Sequence, residues 1–239
     1  RAAGIAPILE STTLTTPRRP MSTATSNPLL QSWDTPYGLP PFDRLRAEHF
    51  VPAFAAARAE HLAEIEAIAN DPAPPSFDNT VAALDRAGRL FGRIAGTFHN
   101  LAASETSPAL QQVEREMAPV LAAHDNSIYM HRALFERLDA LHARRDELGL
   151  SGEQRRLLER FHFDFVRAGA RLTGAAQQRY AQVMERLAEL TTRFGQNVLA
   201  DEAAFRLVLR DESELAGLPD FVRAAALRCI RPLFAALSS

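Results

Sequence analysis

Seven histidines are the residues of this sequence best suited to metal or acid–base chemistry. A helical zinc site of the H-E-x-x-H type places two histidines four residues apart. Both rings then point at one ion, and the intervening glutamate can act as a base on its bound water. No two histidines here have that spacing, so the sequence predicts no catalytic zinc helix. The seven are His49, His61, His99, His124, His131, His142 and His162.

Two of these histidines have an acidic neighbour about one helical turn away. His61 and Glu64 are three residues apart, and His142 and Asp146 are four apart. Each pair could give two ligands to a metal ion, whereas a zinc site needs three or four. We therefore interpret both pairs as parts of solvated helix surfaces, and we predict that this chain binds no metal.

His124 and Cys229 are the remaining candidates. His124 falls on the apolar side of its predicted helix, where a neutral histidine bonded to a backbone or side-chain acceptor is expected. Cys229 is the single cysteine, so no disulfide can form within the chain. Its charged sequence neighbours, Arg228 and Arg231, provide too little positive charge to predict a reactive thiolate. The sequence also lacks the G-x-S-x-G, phosphate-loop and dinucleotide motifs. We predict no catalytic and no cofactor-binding residue.

The elements that would position such residues are helices. Apolar residues recur at helical spacing almost throughout, which predicts an all-α fold built as an array of long amphipathic helices. The prolines from Pro36 to Pro41 predict an extended strap. The first helix is then expected to start after Asp43 and to end near Ala69. Ser76 is expected to cap a second helix that continues without interruption to about Leu101.

Later segments carry similar signals. Ser107, Ser151 and Thr173 are each predicted to cap a helix, and Ser151 has the glutamine three residues on that completes a capping box. Another helix is expected over about 130–145. Residues 204–210, AFRLVLR, alternate between apolar and other side chains and form the one predicted strand.

Charge and hydropathy exclude some partners. The net charge is −2, and the Arg144–Arg145 and Arg155–Arg156 pairs are too small for a nucleic-acid footprint. No apolar run reaches the roughly 18–20 residues that span a bilayer. We expect neither a nucleic-acid nor a membrane partner. A single cysteine is consistent with the reducing cytoplasm, which is the predicted location.

Five stretches of the sequence carry a family resemblance when they are taken together. They are NPLLQSWDTPYGLPPFDRLRAEHFVPAF (27–54), PPSFDNTVAALDRAGRL (74–90), NSIYMHRALFERLDAL (126–141), RRDELGLSGEQRRLLERFHFDFVRAGARL (144–172) and RLAELTTRFGQNVLADE (186–202). In this order they resemble the amino-terminal part of the M3 family of zinc metallopeptidases. The likeness is greater to the peptidyl-dipeptidase branch than to the oligopeptidase branch, and it covers about residues 27–226.

The resemblance implies a fold and an activity. M3 peptidases are nearly all helical, and two lobes enclose a deep channel that admits short peptides. The peptidyl-dipeptidase branch releases dipeptides from the C-terminus. The zinc ligands come from an H-E-x-x-H helix and a later glutamate in the second half of a much longer chain. No position here matches them. The chain is therefore expected to be a channel wall that is inactive alone, lacking the C-terminal catalytic lobe and its zinc.

The sequence also predicts boundaries. Residues 1–26 are expected to be a disordered or non-native leader, because residues 1–20 are rich in threonine and proline and poorly patterned. The resemblance implies that 27–226 form the N-terminal helical domain, which leaves 227–239 as a divergent tail. The loss of likeness after about Ala226 leads to the hypothesis of a truncated or frameshifted gene. Two alternatives stay open: a stand-alone helical interaction module that uses exposed apolar stripes, and a non-functional gene fragment.

Overall fold

The computed structural model describes residues 27–207 and 211–225. Within these ranges the chain is helical and contains no strand, which confirms the predicted all-α fold. The predicted leader 1–26, the tail 227–239 and Cys229 lie outside the described residues. The helices with defined ends are α1 (Phe50–Ala69), α2 (Ala82–Arg86), α3 (Arg89–Ser104), α4 (Pro108–Tyr129), α5 (Arg132–Ala143), α6 (Gly152–Arg167) and α7 (Gly174–Ala204).

The chain divides into two compact units, residues 1–193 and residues 194–239. The first unit contains α1 to α6 and the start of α7, and two apolar clusters form its core. The described part of the second unit holds the end of α7, a short 3₁₀ turn at Glu212–Leu215 and a helical segment over 220–225. Several large apolar side chains of this unit are exposed, among them Phe194, Phe205 and Phe221.

The first core cluster joins the segment before α1, through Leu29 and Leu45, to the first half of α1, to α3 and to α4. Its fully buried members include Leu29, Phe50 and Phe98, and the rings of the last two lie 5.0 Å apart. The second cluster joins the second half of α1 to α4, α5 and α6. It is built around Ile65 and Leu138. Because α1 contributes to both clusters, it is the central helix of the unit.

The proline-containing segment before α1 is held down by specific contacts. The Asn27 side chain donates to the carbonyl of His49 over 2.8 Å. Arg93 of α3 donates to the Leu29 carbonyl over 3.1 Å and stacks 4.6 Å above the ring of Trp33. The extended strap predicted from Pro36 to Pro41 is only partly present. Pro36–Gly38 forms a 3₁₀ turn, and the chain becomes extended again at Leu39.

The predicted start of the first helix is wrong by several residues. After Asp43 the chain makes turns, and Arg46 adopts an extended conformation with φ −138° and ψ 154° that cannot continue a helix. A 3₁₀ turn at Ala47–His49 follows, and α1 begins at Phe50. The predicted end at Ala69 is confirmed.

The second predicted helix has the expected cap but is interrupted. Ser76 accepts from the Asn79 N–H, and Asn79 reciprocates, which completes a capping box. The first turn, Phe77–Val81, is a π-helix that leads into α2. At Gly88 the backbone then turns left-handed, with φ +70°, and α3 starts anew. A single uninterrupted helix was therefore a wrong prediction.

The caps of α4 and α6 are confirmed. Ser107 accepts from the Leu110 N–H, and Ser151 forms a capping box with Gln154. The helix expected over about 130–145 is α5, and its cap is the side chain of His131. Helix α7 begins directly after Thr173, as predicted.

The predicted strand over 204–210 is wrong for residues 204–207, which the structure describes. Ala204 is the last residue of α7, and the N–H of Phe205 still donates to the carbonyl of Asp201 over 2.9 Å. Residues 205–207 have no strand pairing, and 208–210 lie outside the described residues. The alternating apolar pattern does not produce a strand here, because a strand needs a partner strand to pair with. A helix that has already formed can instead be extended by one more hydrogen bond.

Candidate functional site

The candidate functional surface is an apolar stripe on the first part of α7. Val183, Leu187 and Leu190 follow one another at spacings of four and three residues, so they lie on one helical face. Their exposed fractions are 44%, 52% and 43%. We call these three residues the α7 stripe. No residue of α7 is buried among the described side chains.

The start of α7 is attached to the first unit by polar bonds to the backbone. Gln177 donates to the carbonyl of Met130 over 3.3 Å, and the Tyr180 hydroxyl donates to the carbonyl of Arg167. Asn126 of α4 donates to the carbonyl of Ala181. The helix is therefore fixed at its beginning, while the apolar stripe that follows stays open. A contiguous exposed apolar face of this kind is typical of a surface that a partner covers.

The structure pairs two predicted candidates with each other. His61 Nδ1 lies 3.1 Å from His124 Nε2, which joins α1 to α4. His124 is 1% exposed, and the ring of Phe91 lies 4.6 Å from its own. The prediction of a buried, hydrogen-bonded His124 is confirmed, with His61 as its partner. Burial, followed by the charges of His61 and Arg58, lowers the pKa of His124 to about 4.

The interpretation of His61 and Glu64 as solvated surface is wrong. His61 is half-buried, and Glu64 accepts a 2.7 Å hydrogen bond from the backbone N–H of Gly88. Burial lowers the pKa of His61, and the nearby Glu64 carboxylate opposes that shift. Both residues fasten the junction between α2 and α3 onto α1, so their role is structural.

A second histidine pair forms between α5 and α6. The rings of His142 and His162 are stacked at 3.7 Å with an angle of 2° between their planes. His162 Nε2 lies 2.8 Å from a carboxylate oxygen of Asp139. Asp146, the sequence neighbour predicted to accompany His142, instead pairs with Arg155. The sequence missed this pair because nothing in a spacing of twenty residues indicates that two rings on different helices will meet.

The histidines do not assemble a metal site. Across residues 27–207 and 211–225, no three histidine, cysteine or acidic side chains are grouped to hold an ion. His49 accepts from the Arg46 N–H, and His131 caps α5 while its other nitrogen contacts Glu66. The residues present therefore do not fit the catalytic zinc that the resemblance implies, and Cys229 lies outside the described residues.

None of the helices in the described ranges combines the length and the apolar character that are needed to cross a lipid bilayer.

Comparison with known proteins gives three informative relatives. The chain is 37% identical over 207 residues to dipeptidyl carboxypeptidase of Escherichia coli, a match that covers 87% of this chain and 30% of that protein. It is 39% identical over 202 residues to dipeptidyl carboxypeptidase of Salmonella typhimurium, with 84% and 30% covered. Oligopeptidase A of Salmonella typhimurium is 31% identical over 201 residues, with 84% and 29% covered.

These comparisons show which part of the known proteins this chain matches. No protein-family profile matches it. The chain spans about 30% of the length of the curated relatives it matches. The resemblance predicted from the sequence is confirmed: over most of its length, this chain is a relative of one part of dipeptidyl carboxypeptidase and oligopeptidase A, peptidases of the M3 family.

Proposed function

We propose that this chain is the N-terminal helical part of a zinc-dependent peptidyl-dipeptidase and forms one wall of its peptide channel. The observation that carries the proposal is the 37–39% identity to dipeptidyl carboxypeptidases across 84–87% of the chain. The complete enzyme would act in the cytoplasm, hydrolyse short peptides and release C-terminal dipeptides.

The part played by this chain is scaffolding and not catalysis. The H-E-x-x-H motif is absent from its sequence, and six of its seven histidines are used in helix caps and in two ring pairs. The zinc and the groups that act on the peptide bond would come from the catalytic lobe. The α7 stripe is the surface that we assign to contact with that lobe, because it is apolar, open and adjacent to a fixed helix start.

A peptidase assay on the purified chain tests the absence of catalysis. With a short peptide as substrate, we expect no release of dipeptides, either with added zinc or with a chelator. Chelator-sensitive release of dipeptides by the pure chain would contradict this assignment, because it would require a metal site within these 239 residues.

The α7 stripe also favours a second candidate, a stand-alone module that binds another protein through this face. The two proposals differ in what covers the stripe. In the first, the partner is the catalytic lobe of an M3 peptidase; in the second, it is an unrelated apolar surface. If the purified chain is monomeric and binds little hydrophobic dye, the second candidate is contradicted, and so is the assignment of an open α7 stripe to the catalytic lobe.

A further inference from the structure

A basic pocket lies next to the second histidine pair, away from the α7 stripe. It encloses about 480 Å³ between the end of α5, one face of α6 and the segment that follows α6. Its walls include His142, His162 and three arginines. The arginines are Arg156, Arg160 and Arg171. A volume of this size admits a small molecule and excludes a folded domain.

The histidines of the pocket are held rigidly. The ring of His162 stacks with two others, that of Phe135 at 5.8 Å and that of His142 at 3.7 Å. Its Nε2 is fixed by the 2.8 Å contact with Asp139, which also lies 3.6 Å from the guanidinium of Arg171. A wall that is already ordered before a ligand arrives loses little conformational entropy on binding.

The charges around the pocket do not balance. Arg160 pairs with Asp164 at 2.8 Å, and Glu159 pairs with Arg155 at 3.3 Å. The Arg156 guanidinium has no hydrogen bond or ion pair with any residue in the described part of the chain. The pocket therefore keeps one guanidinium, that of Arg156, without a partner among the described residues. A guanidinium is a planar set of donors that suits the paired oxygens of carboxylates and phosphates.

We propose that this pocket is a binding site for a small oxyanion, a molecule that carries a phosphate or carboxylate group. Arg156 supplies the free guanidinium, Arg160 and Arg171 flank it, and His142 faces the same space. Neither the similarity to peptidases nor the α7 stripe assigns a role to this pocket. The site is thus independent of the proposed function.

Binding at this site is expected to strengthen as the pH falls. Burial, and then the charges of His162 and Arg145, lower the pKa of His142, while Asp139 and Glu159 oppose that shift. An anion in the pocket adds another opposing charge and favours the protonated ring. The cations Arg156, Arg160 and Arg171 also face this space, but they keep their charge throughout the range. Protonation of His142 therefore links pH to affinity at this site.

Titration of the full chain with inorganic ions tests the site. The side-chain resonances of His142 and His162 are followed by NMR while sodium phosphate or sodium succinate is added at pH 7.5 and constant ionic strength. We expect a saturable change with at least one of the two. The tighter ion identifies the class, because phosphate reports a phosphate-bearing ligand and succinate a carboxylate-bearing one. Sodium sulfate, whose charge is constant, is then compared at pH 6 and pH 7.5 and should bind more tightly at pH 6.

Three variants test the part played by the pocket arginines, and one of them is the control. R156Q should weaken binding about tenfold through the loss of one charge-assisted contact. R179Q removes an exposed arginine of α7 outside the pocket and should leave the affinity unchanged. R171Q is a second pocket variant and should also weaken binding. If neither ion saturates, if all three variants behave alike, or if sulfate affinity does not change with pH, the proposal is overturned.

Discussion

His61 Nδ1 lies 3.1 Å from His124 Nε2, and this contact joins α1 to α4 at the point where the two core clusters meet. Along α1, His61 stands between Ala57 of the first cluster and Ile65 of the second. A hydrogen bond between two imidazoles needs one donor and one unprotonated acceptor. At least one of the two rings must therefore stay neutral for the contact to exist, which makes this junction sensitive to acid.

The first prediction concerns that sensitivity. The pKa of His124 is about 4 in the folded chain, against 6.5 for an ordinary histidine. Between these values the unfolded chain binds more protons, so the free energy of unfolding falls as the pH drops from about 6.5 to about 4. Stability is complete above this window and reduced by roughly 2–4 kcal/mol below it. Urea unfolding at several pH values measures the slope.

Two substitutions show whether His124 causes the slope. H124L removes the titrating ring, so its free energy of unfolding should change less between pH 7 and pH 4.5 than that of the native chain. H99Q alters an exposed histidine of α3 and should keep the native slope. Parallel slopes for H124L and the native chain would show that this residue is not the source.

The second prediction tests the close approach of Gly88 to His61. A Cβ at Gly88 would lie 2.6–2.8 Å from atoms of the His61 ring, and the backbone there has φ +70°. G88A should lose roughly 1–2 kcal/mol for the left-handed backbone and a further 1–3 kcal/mol for the clash. Thermal unfolding followed by circular dichroism measures the difference.

Gly149 is the matched control. It has φ +60°, but nothing lies within 4 Å of an added Cβ. G149A should therefore show the backbone effect alone. If G88A is no less stable than G149A, the contact between the α2–α3 junction and His61 is not present in solution.

The third prediction concerns a buried arginine that organises the connection between α1 and α2. Arg137 of α5 donates to the carbonyls of Asp71 and Ala73 over 2.8 and 3.1 Å, and it also bonds to Asn79 and Thr80. R137M leaves these acceptors without a donor, so it should lower the free energy of unfolding by roughly 2–4 kcal/mol.

A matched substitution on the same helix separates this network from a general loss of charge. Arg132 pairs with Glu136, but its side chain is 88% exposed, whereas that of Arg137 is 10% exposed. R132M should change the denaturation midpoint very little. Equal midpoints for R132M and R137M would contradict the role given to Arg137.

The fourth prediction examines the α7 stripe. L187D places a charge at the centre of the stripe, so it should reduce hydrophobic-dye binding and self-association without lowering the unfolding midpoint. Q182D adds the same group to an exposed position well away from Leu187 around the helix, and it should leave dye binding unchanged. Loss of stability in L187D to the extent seen in a core substitution would show that the stripe is covered in solution.

Local signals allowed much of the fold to be predicted from the sequence. Ser76, Ser107 and Ser151 act as caps because a hydroxyl and the free N–H groups it satisfies lie within three residues of one another. The interruption at Gly88 was missed, since the apolar spacing continues across it and the turn is fixed by a contact with Glu64, far away in sequence.

The contacts between histidines on different helices depend on tertiary packing. His61 and His124 are 63 residues apart, and no spacing rule connects them. Periodicity predicts that the helices are amphipathic, but it shows only that a face is apolar and not what covers it. The strand over 204–210 failed for a related reason, because alternation indicates a face and cannot supply a neighbouring strand.

The central claim is that this chain is the non-catalytic helical part of a peptidyl-dipeptidase. The most direct test adds the purified chain to the Escherichia coli dipeptidyl carboxypeptidase from which the matching 30% has been deleted. Dipeptide release from a short peptide is measured for each piece alone and for the mixture, with L187D as a variant. We predict no activity from either piece, zinc-dependent release from the mixture, and weaker release with L187D. Activity of this chain alone, or a mixture that neither associates nor cleaves, would contradict the account.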